Sequence, residues 1–208
     1  MNRLRESLMR AIFGWEDYWF EQRHGIDVNG IVGKQELIAS DHLSYEHAHS
    51  YHPVWCRSLR VLFAEARKAG HSFDSFIDLG SGKGKACLYA HSTRIFKTIV
   101  GIELSAFLVD IADRNKRKLA AANVAFLNVD ATEFELPNSD HLIFMFNPFD
   151  RSVLERFISN NLRHFAEHRS LIAYANDVQR ASLTRFGFET IFRDQSRKIS
   201  LYRYCSMA

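Results

Sequence analysis

The feature that most constrains the fold is a series of short apolar segments between residues 75 and 175, most of them separated by helical stretches. Five such segments are apolar on both faces: 75–79, 98–104, 124–129, 141–146 and 170–175. The intervening stretches 84–94, 106–122 and 151–167 have the periodicity of helices. Strands that are apolar on both faces and alternate with helices are typical of a parallel sheet with helices on both sides.

Two more strands are predicted at the end of the chain, at 188–192 and 199–204, joined by the polar residues 193–198. A short polar connection favours an antiparallel pair, because parallel neighbours need a long crossover. The predicted fold class is therefore α/β. We expect a Rossmann-like, doubly wound, seven-stranded sheet that is mostly parallel and has an antiparallel C-terminal strand pair.

The N-terminal third of the chain has a different pattern, which predicts a helical cap. A helix over 2–23 is indicated by one apolar stripe, formed by Leu4, Leu8, Ile12, Trp15 and Trp19. A second helix is predicted over 53–69, with Pro53 at its start. The stripe could bind a membrane or a partner helix, but we favour the interpretation that it packs on its own domain.

Length and composition favour one domain. A chain of 208 residues suits a single core, and we divide it into a helical N-terminal cap or lid, 1–72, and a Rossmann-like core, 73–208. The net charge of +3 is small for a nucleic-acid-binding protein. No apolar run is long enough to span a membrane, and the N-terminus does not resemble a signal peptide, so we expect a cytoplasmic location. The three cysteines lie far apart and form no C-x-x-C pair, so we expect neither a disulfide framework nor a thiolate zinc site.

The strongest local signal is Asp78-Leu-Gly80-Ser81-Gly82-Lys-Gly84, which follows a predicted strand and precedes a predicted helix. Glycines here allow a ligand to approach the backbone, and the N–H groups at the helix start favour a polar or anionic group. A dinucleotide fingerprint would need glycine at position 85, which is Lys. A phosphate-binding loop would need G-x-x-x-x-G-K-S/T, which is absent.

This motif resembles the first motif of the class I S-adenosylmethionine-dependent methyltransferases, and later segments of the chain continue the resemblance. It implies that Glu103, at the end of the second strand, binds the ribose hydroxyls and that Asp130 contacts the adenine amino group. The cofactor is then S-adenosyl-L-methionine. The cofactor-binding residues that the resemblance implies are Asp78, Gly80, Ser81, Gly82, Gly84, Glu103, Leu104, Asp130, Ala131 and Asn147.

The fourth strand is followed by Asn147-Pro148-Phe149, where this family has its reaction-side motif. Many members that methylate amino or amide nitrogens have an acid or amide residue, two prolines and an aromatic residue here; this chain has one proline. The alternative is a strand-end turn with Phe149 in the core. Tyr51-His-Pro53 also resembles, more distantly, a segment of small lysine methyltransferases without a SET domain, which implies a place for Tyr51 near the methyl path.

The segment 41–52 contains four histidines and two acidic residues. Its spacings do not match a helical metal motif, so we expect no metal. A lid that contributes a base or hydrogen bonds is one interpretation, and a polar surface loop is the other.

The sequence thus predicts a methyltransferase that acts on a nitrogen nucleophile, either a protein lysine or a small-molecule amine. Three alternatives stay open: a nucleic-acid methyltransferase, a non-catalytic module that binds the cofactor, and, more remotely, an NAD-dependent oxidoreductase. The number of subunits is not predicted.

Overall fold

The computed structural model describes residues 14–30, 32–33, 51–70 and 73–205, and within them one seven-stranded sheet. The order of the strands across the sheet is β3-β2-β1-β4-β5-β7-β6. Strands β1 to β5 are parallel, and β7 runs antiparallel to both β5 and β6. The strands are β1 Ser75–Leu79, β2 Thr98–Glu103, β3 Val124–Asn128, β4 His141–Met145, β5 Leu171–Ala175, β6 Phe188–Asp194 and β7 Ile199–Tyr204. The predicted fold class is confirmed.

Seven α-helices flank the sheet in the part of the chain that is described. They are α1 over residues 14–24, α2 Cys56–Lys68, α3 Lys85–Thr93, α4 Ala106–Lys118, α5 Arg151–Asn160, α6 Leu162–Glu167 and α7 Arg180–Arg185. A 3-10 helix, Ala131–Glu133, follows β3. The short helix α7 was not predicted from the sequence.

The predicted helix 151–167 is divided at Asn161, and the reason is a set of hydrogen bonds. This buried side chain accepts from the N–H of Leu136 at 2.8 Å and donates to the carbonyl of Phe134 at 3.0 Å. It also donates to the carbonyl of Phe157 at 2.9 Å, at the end of α5. Asn161 therefore satisfies buried backbone groups of the segment that leads into β4, which a continuous helix would leave unpaired.

The core has two parts, one on each face of the sheet. Since successive residues of a strand point to opposite faces, Phe76 lies in the part under α2, α3 and α4, while Ile77 lies in the part under α5 and α6. Helix α2 contributes Leu59, Leu62 and Phe63 to the first part. This arrangement explains why the central strands have apolar residues on both faces.

Helix α1 packs on the domain with the face opposite to the one expected. Trp15 and Trp19 are 63% and 53% exposed, so for these residues the favoured interpretation of the stripe is wrong. Asp17 is 3% exposed, and Phe20 packs against Tyr89 of α3 with ring centroids 5.6 Å apart. Leu4, Leu8 and Ile12 lie outside the described residues. The inner face of α1 is therefore held by polar contacts as well as by Phe20.

Three histidines stack at the opposite end of the sheet. The His164 ring lies 5.3 Å from His141 and 4.7 Å from His168, and its Nε2 is 2.8 Å from Ser170 Oγ. Burial, with the neighbouring histidines, lowers the pKa of His164 to about 4, so the folded protein holds the neutral ring.

Stability should consequently fall on acidification from pH 6.5 towards pH 4, because the unfolded chain binds the proton there and the folded chain does not. His164→Gln removes this contribution, so its free energy of unfolding in urea should depend less on pH over that window than the parent's. His52→Gln, at an exposed ring, is the control. Equal pH dependence in parent and His164→Gln would contradict the assignment.

Candidate active site

The candidate site lies at one edge of the sheet, where β1, β2, β3 and β4 end side by side. Because these four strands are parallel neighbours, the loops after their carboxyl ends meet there. The loop after β1 contains the three glycines, and its first two N–H groups, of Gly80 and Ser81, donate to the carbonyl of Ile102 at 2.8 and 2.9 Å. The glycine loop is thus fastened to the end of β2.

Steric limits explain glycine at positions 80 and 82. Both residues have positive φ, +73° and +56°. A Cβ on Gly80 would lie 2.2 Å from Cβ of Pro148, and one on Gly82 would lie 2.2 Å from the ring of Tyr51. The glycines therefore allow two residues that the sequence assigned to the reaction side to contact the loop directly. Gly84, the third, precedes α3 and lies against Phe126.

Glu103 organises the loop through both carboxylate oxygens. One accepts from the N–H of Gly82 at 2.9 Å and the other from the N–H of Ser105 at 2.9 Å. Burial raises the pKa of Glu103, and these two backbone hydrogen bonds oppose the shift because they favour the charged form. The carbonyl of the next residue, Leu104, accepts from the Asn128 side chain at 2.7 Å.

Asp78 is a second buried carboxyl at the same strand ends. Its side chain is 3% exposed and accepts a hydrogen bond from Cys87 Sγ at 3.7 Å. Burial raises the pKa of Asp78 to about 8; the Cys87 hydrogen bond opposes the shift and the charge of Glu103 adds to it. Two carboxyl groups with raised pKa values, the buried Asp78 and the half-buried Glu103, make this a place where a cation is favoured.

The residues after β3 have local partners. Oδ1 of Asp130 accepts from the N–H and the hydroxyl of Thr132, both at 2.8 Å, and so caps the 3-10 helix. Ala131 is buried in the part of the core under α5. Ser81, in the glycine loop, has a buried hydroxyl with no hydrogen-bond partner among the described residues. A buried hydroxyl of this kind can be satisfied by a polar ligand.

The residues after β4 divide between the site and the core. Asn147 has a φ of +43°, and its Oδ1 accepts from the Tyr174 hydroxyl of β5 at 3.0 Å. Pro148 lies against Gly80. Phe149 is 8% exposed and packs in the core under α5, so its ring faces inward.

Tyr51 is brought to the glycine loop from a distant part of the sequence. Its backbone pairs with Val32, and its hydroxyl donates to the carbonyl of Val28 at 2.5 Å. Burial, followed by the charges of Asp78 and neighbouring acids, raises its pKa, so the hydroxyl is neutral. Residues 41–50 of the histidine-rich segment lie outside the described residues.

Sequence reasoning did not assign Lys83 and Lys85 of the glycine loop to any contact. Lys83 Nζ lies 2.8 Å from Asp27 Oδ1, and Lys85 Nζ lies 2.8 Å from Asp17 Oδ1. Both ammonium groups bind the N-terminal segment, and that of Lys83 also lies 5.8 Å from the centroid of the Tyr51 ring. The two lysines were visible in the sequence, but nothing in it linked them to acids more than fifty residues away.

A family comparison agrees with this geometry. A family model described as "Methyltransferase domain" matches residues 71–183, which is more than half of the chain. The chain belongs to this family. It is a class I S-adenosylmethionine-dependent methyltransferase. A comparison with curated proteins finds no match.

Solved structures show the same fold at low identity. A putative methyltransferase, yhhF, from Escherichia coli is 21% identical, with a TM-score of 0.55 over 72% of this chain and 88% of that one. An RNA methyltransferase from Salinibacter ruber, in complex with S-adenosyl-L-homocysteine, is 19% identical, with a TM-score of 0.50 over 70% and 89%. The ribosomal protein L11 methylase of Lactobacillus delbrueckii is 12% identical, with a TM-score of 0.52 over 72% and 80%.

The methyltransferase uses S-adenosylmethionine as its cofactor, and the residues at the site fit that group. The cofactor carries cationic groups and ribose hydroxyls, which suit the two carboxyl groups at the site, those of the buried Asp78 and the half-buried Glu103. Its polar groups suit the unpartnered hydroxyl of Ser81. Within the described ranges, no three His, Cys, Asp or Glu side chains are grouped so that they could hold a metal ion. No helix in those ranges is both long and apolar enough to span a membrane.

A pH dependence of cofactor binding follows from Asp78. With a pKa of about 8, this carboxyl is largely protonated at neutral pH, and a bound ammonium would favour its ionised form. We expect S-adenosylhomocysteine binding to release a proton and to strengthen between about pH 6 and pH 8. Calorimetry in two buffers of different ionisation enthalpy measures the release.

Asp78→Asn should abolish most of that release. The Glu103→Gln variant serves as the comparison, because Glu103 is the other raised carboxyl at this edge. Identical heats of binding in the two buffers for the parent protein would contradict the role of Asp78.

Proposed function

We propose that this methyltransferase transfers the methyl group to a nitrogen atom, of a protein lysine or a small-molecule amine, and that Asn147 contacts the acceptor. The observation that carries the proposal is the fixed amide of Asn147 at the end of β4. Its Oδ1 is oriented by the Tyr174 hydroxyl at 3.0 Å, and its backbone adopts a φ of +43°. A carbonyl oxygen has two lone pairs, so Asn147 Oδ1 can also accept a hydrogen bond from an N–H group of the molecule that receives the methyl group.

A carbonyl oxygen of the protein that accepts hydrogen bonds suits a nitrogen nucleophile better than an oxygen nucleophile. A neutral amine attacks through its lone pair. Protein oxygens that accept hydrogen bonds from its N–H groups orient this lone pair, and no proton has to be removed first. A hydroxyl group that receives the methyl group would need a base to remove its proton. The acid that follows β5, Asp177, is engaged with Arg180, Arg193 and Ser200.

The cofactor supplies an electrophilic methyl group on a sulfonium, whose sulfur keeps the electron pair of the broken bond. We propose that Asp78 faces the ammonium of the cofactor, Glu103 the ribose hydroxyls and Asp130 the adenine, with Ala131 and Leu104 beside them. The backbone of Gly80, Ser81, Gly82 and Gly84 would lie along the methionine portion. Support comes from the burial of Asp78, from the two backbone N–H groups that donate to Glu103 and from the position of both residues at adjacent strand ends.

We propose that the methyl acceptor reaches the site past Tyr51, which lies against Gly82, and Pro148, which lies against Gly80. Phe149 contributes by anchoring this turn in the core rather than by covering the acceptor. We also propose that the chain is a single domain divided into a cap, 1–72, and a core, 73–208; among the described cap residues, Tyr51 lies against the glycine loop.

The decisive experiment offers the purified protein labelled S-adenosylmethionine together with three acceptor pools: lysine-containing peptides and proteins, small amines, and RNA. Mass spectrometry of the product identifies the methylated atom. Methylated lysine or amine nitrogen supports the proposal. A methylated base would favour a nucleic-acid acceptor, and cofactor binding without any transfer would favour a non-catalytic module.

Asn147→Gly tests the acceptor contact without backbone strain, because glycine tolerates the positive φ. We expect the transfer rate to fall on the order of 100-fold, as for loss of one preorganised hydrogen-bonding group at a reacting centre. The affinity for S-adenosylhomocysteine should stay within about twofold.

Asn176→Gly is the matched control for that variant, because Asn176 also ends a neighbouring strand with positive φ, +53°. Its rate should equal that of the parent. A similar loss in both variants, or none in Asn147→Gly, would remove Asn147 from the reaction.

Glu103→Gln tests the ribose contact. The amide retains one acceptor oxygen and loses the charge, so we expect S-adenosylhomocysteine to bind about 10- to 100-fold more weakly, as for a lost charge-assisted pair of hydrogen bonds. Glu133→Gln, at an exposed acid near the same edge, is the control. Calorimetric affinities that agree within twofold for all three proteins would rule out this role for Glu103.

A further inference from the structure

Residues 17–29 of the N-terminal segment bind the glycine loop and the start of α3 through hydrogen bonds and ion pairs. The loop's two lysines, Lys83 and Lys85, lie between and after the glycines, and the Lys83 ammonium lies 5.8 Å from the centroid of the Tyr51 ring. Both ammonium groups bind residues of the segment 17–29. That segment is linked to the loop by contacts across more than fifty residues of sequence.

The contact between Asp17 and Lys85 is a buried ion pair. Asp17 Oδ1 lies 2.8 Å from Lys85 Nζ, and both side chains are at most 5% exposed. The same oxygen accepts from the N–H of Cys56 at 3.0 Å, at the start of α2. Loss of either charge would leave the other buried without its partner, which is strongly unfavourable. Helix α1 is therefore tied to α2 and to the start of α3 at one point.

A second contact joins the segment to the loop through Asn115 of α4. Its side chain is 1% exposed. It accepts from the N–H of Asp27 at 2.9 Å and donates to the carbonyl groups of Asp27 and Lys83 at 2.7 and 3.1 Å. Lys83 completes the arrangement by donating to Asp27 and to the carbonyl of Asn29.

These contacts act on the residues that shape the site. Lys83 lies between Gly82, whose N–H donates to Glu103, and Gly84, which caps α3. A shift of Lys83 or Lys85 would therefore move the Gly82 N–H and the first turn of α3 together.

We propose that Asp17 is a positioning residue for cofactor binding: through Lys85 it holds the glycine loop in the shape that accepts the cofactor, so that docking of α1 and cofactor binding favour each other. The coupling is reciprocal by thermodynamic linkage. The N-terminal helix is in this view a component of the cofactor site although it does not touch the cofactor.

The test uses the full chain and S-adenosylhomocysteine as the probe. Asp17→Asn, Lys85→Met and the double variant are compared with Glu16→Gln, which removes a neighbouring charge of α1 paired to Arg60. We expect each single variant to bind about tenfold more weakly, within the usual range of coupling between sites. The double variant should bind no more weakly than the worse single variant, and Glu16→Gln should bind like the parent.

A second measurement needs no variant. In the parent, saturating S-adenosylhomocysteine should slow amide hydrogen exchange in peptides that cover residues 14–24, as well as in the glycine loop. Asp17→Asn should lose the slowing at 14–24.

Two results would overturn the inference: affinities of Asp17→Asn and Lys85→Met within twofold of the parent, or unchanged exchange over 14–24 on saturation of the parent. A purely structural role would lower the melting temperature of the variants and leave both readouts unmoved. Failure of the parent to bind S-adenosylhomocysteine would instead reject the cofactor site itself, together with this inference.

Discussion

The carbonyl oxygen of Ile102 and the carboxylate of Glu103 together determine the shape of the site. The first accepts the N–H groups of Gly80 and Ser81, and the second accepts the N–H of Gly82. Three successive donors of the glycine loop are thus satisfied by two adjacent residues at the end of β2. The turn between β1 and α3 can adopt its positive φ angles because these hydrogen bonds replace the ones that a regular strand or helix would provide. Tyr51 and Pro148 pack against the glycine loop that these hydrogen bonds hold in place.

The charges around the loop are separated according to function. Two carboxyl groups, of the buried Asp78 and the half-buried Glu103, lie where the strands end, and both have raised pKa values. The two ammonium groups are paired with acids of the N-terminal segment, Lys83 with Asp27 and Lys85 with Asp17. Without these counter-charges the lysines would offset the carboxylates and weaken the attraction for a cationic cofactor.

Helix α1 shows how a helix can dock without an apolar inner stripe. Its inner face uses Asp17 and Glu21 for polar contacts and Phe20 for packing, while Trp15, Tyr18 and Trp19 remain more than half exposed. A hydrophobic stripe normally predicts the buried face, because burial of apolar area is the main favourable term. Here the buried Lys85 has its carboxylate partner, Asp17, on the side of α1 that faces the domain, together with Phe20.

The sequence by itself determined the order of the seven strands along the chain, the seven-stranded α/β class and the four strand ends that meet at the candidate site. Local patterns were sufficient for these, because apolar runs, helical periodicity and the glycine motif are each confined to a few neighbouring residues. The tertiary structure decided the break at Asn161, the inward ring of Phe149, the outward tryptophans and the partners of Lys83 and Lys85. The direction of the Phe149 and tryptophan rings depends on which surfaces of the segments meet. The break at Asn161 and the partners of the two lysines depend on which distant groups need a hydrogen bond or a counter-charge after burial. That requirement arises only when the segments pack together, so it has no signature in any one stretch of sequence.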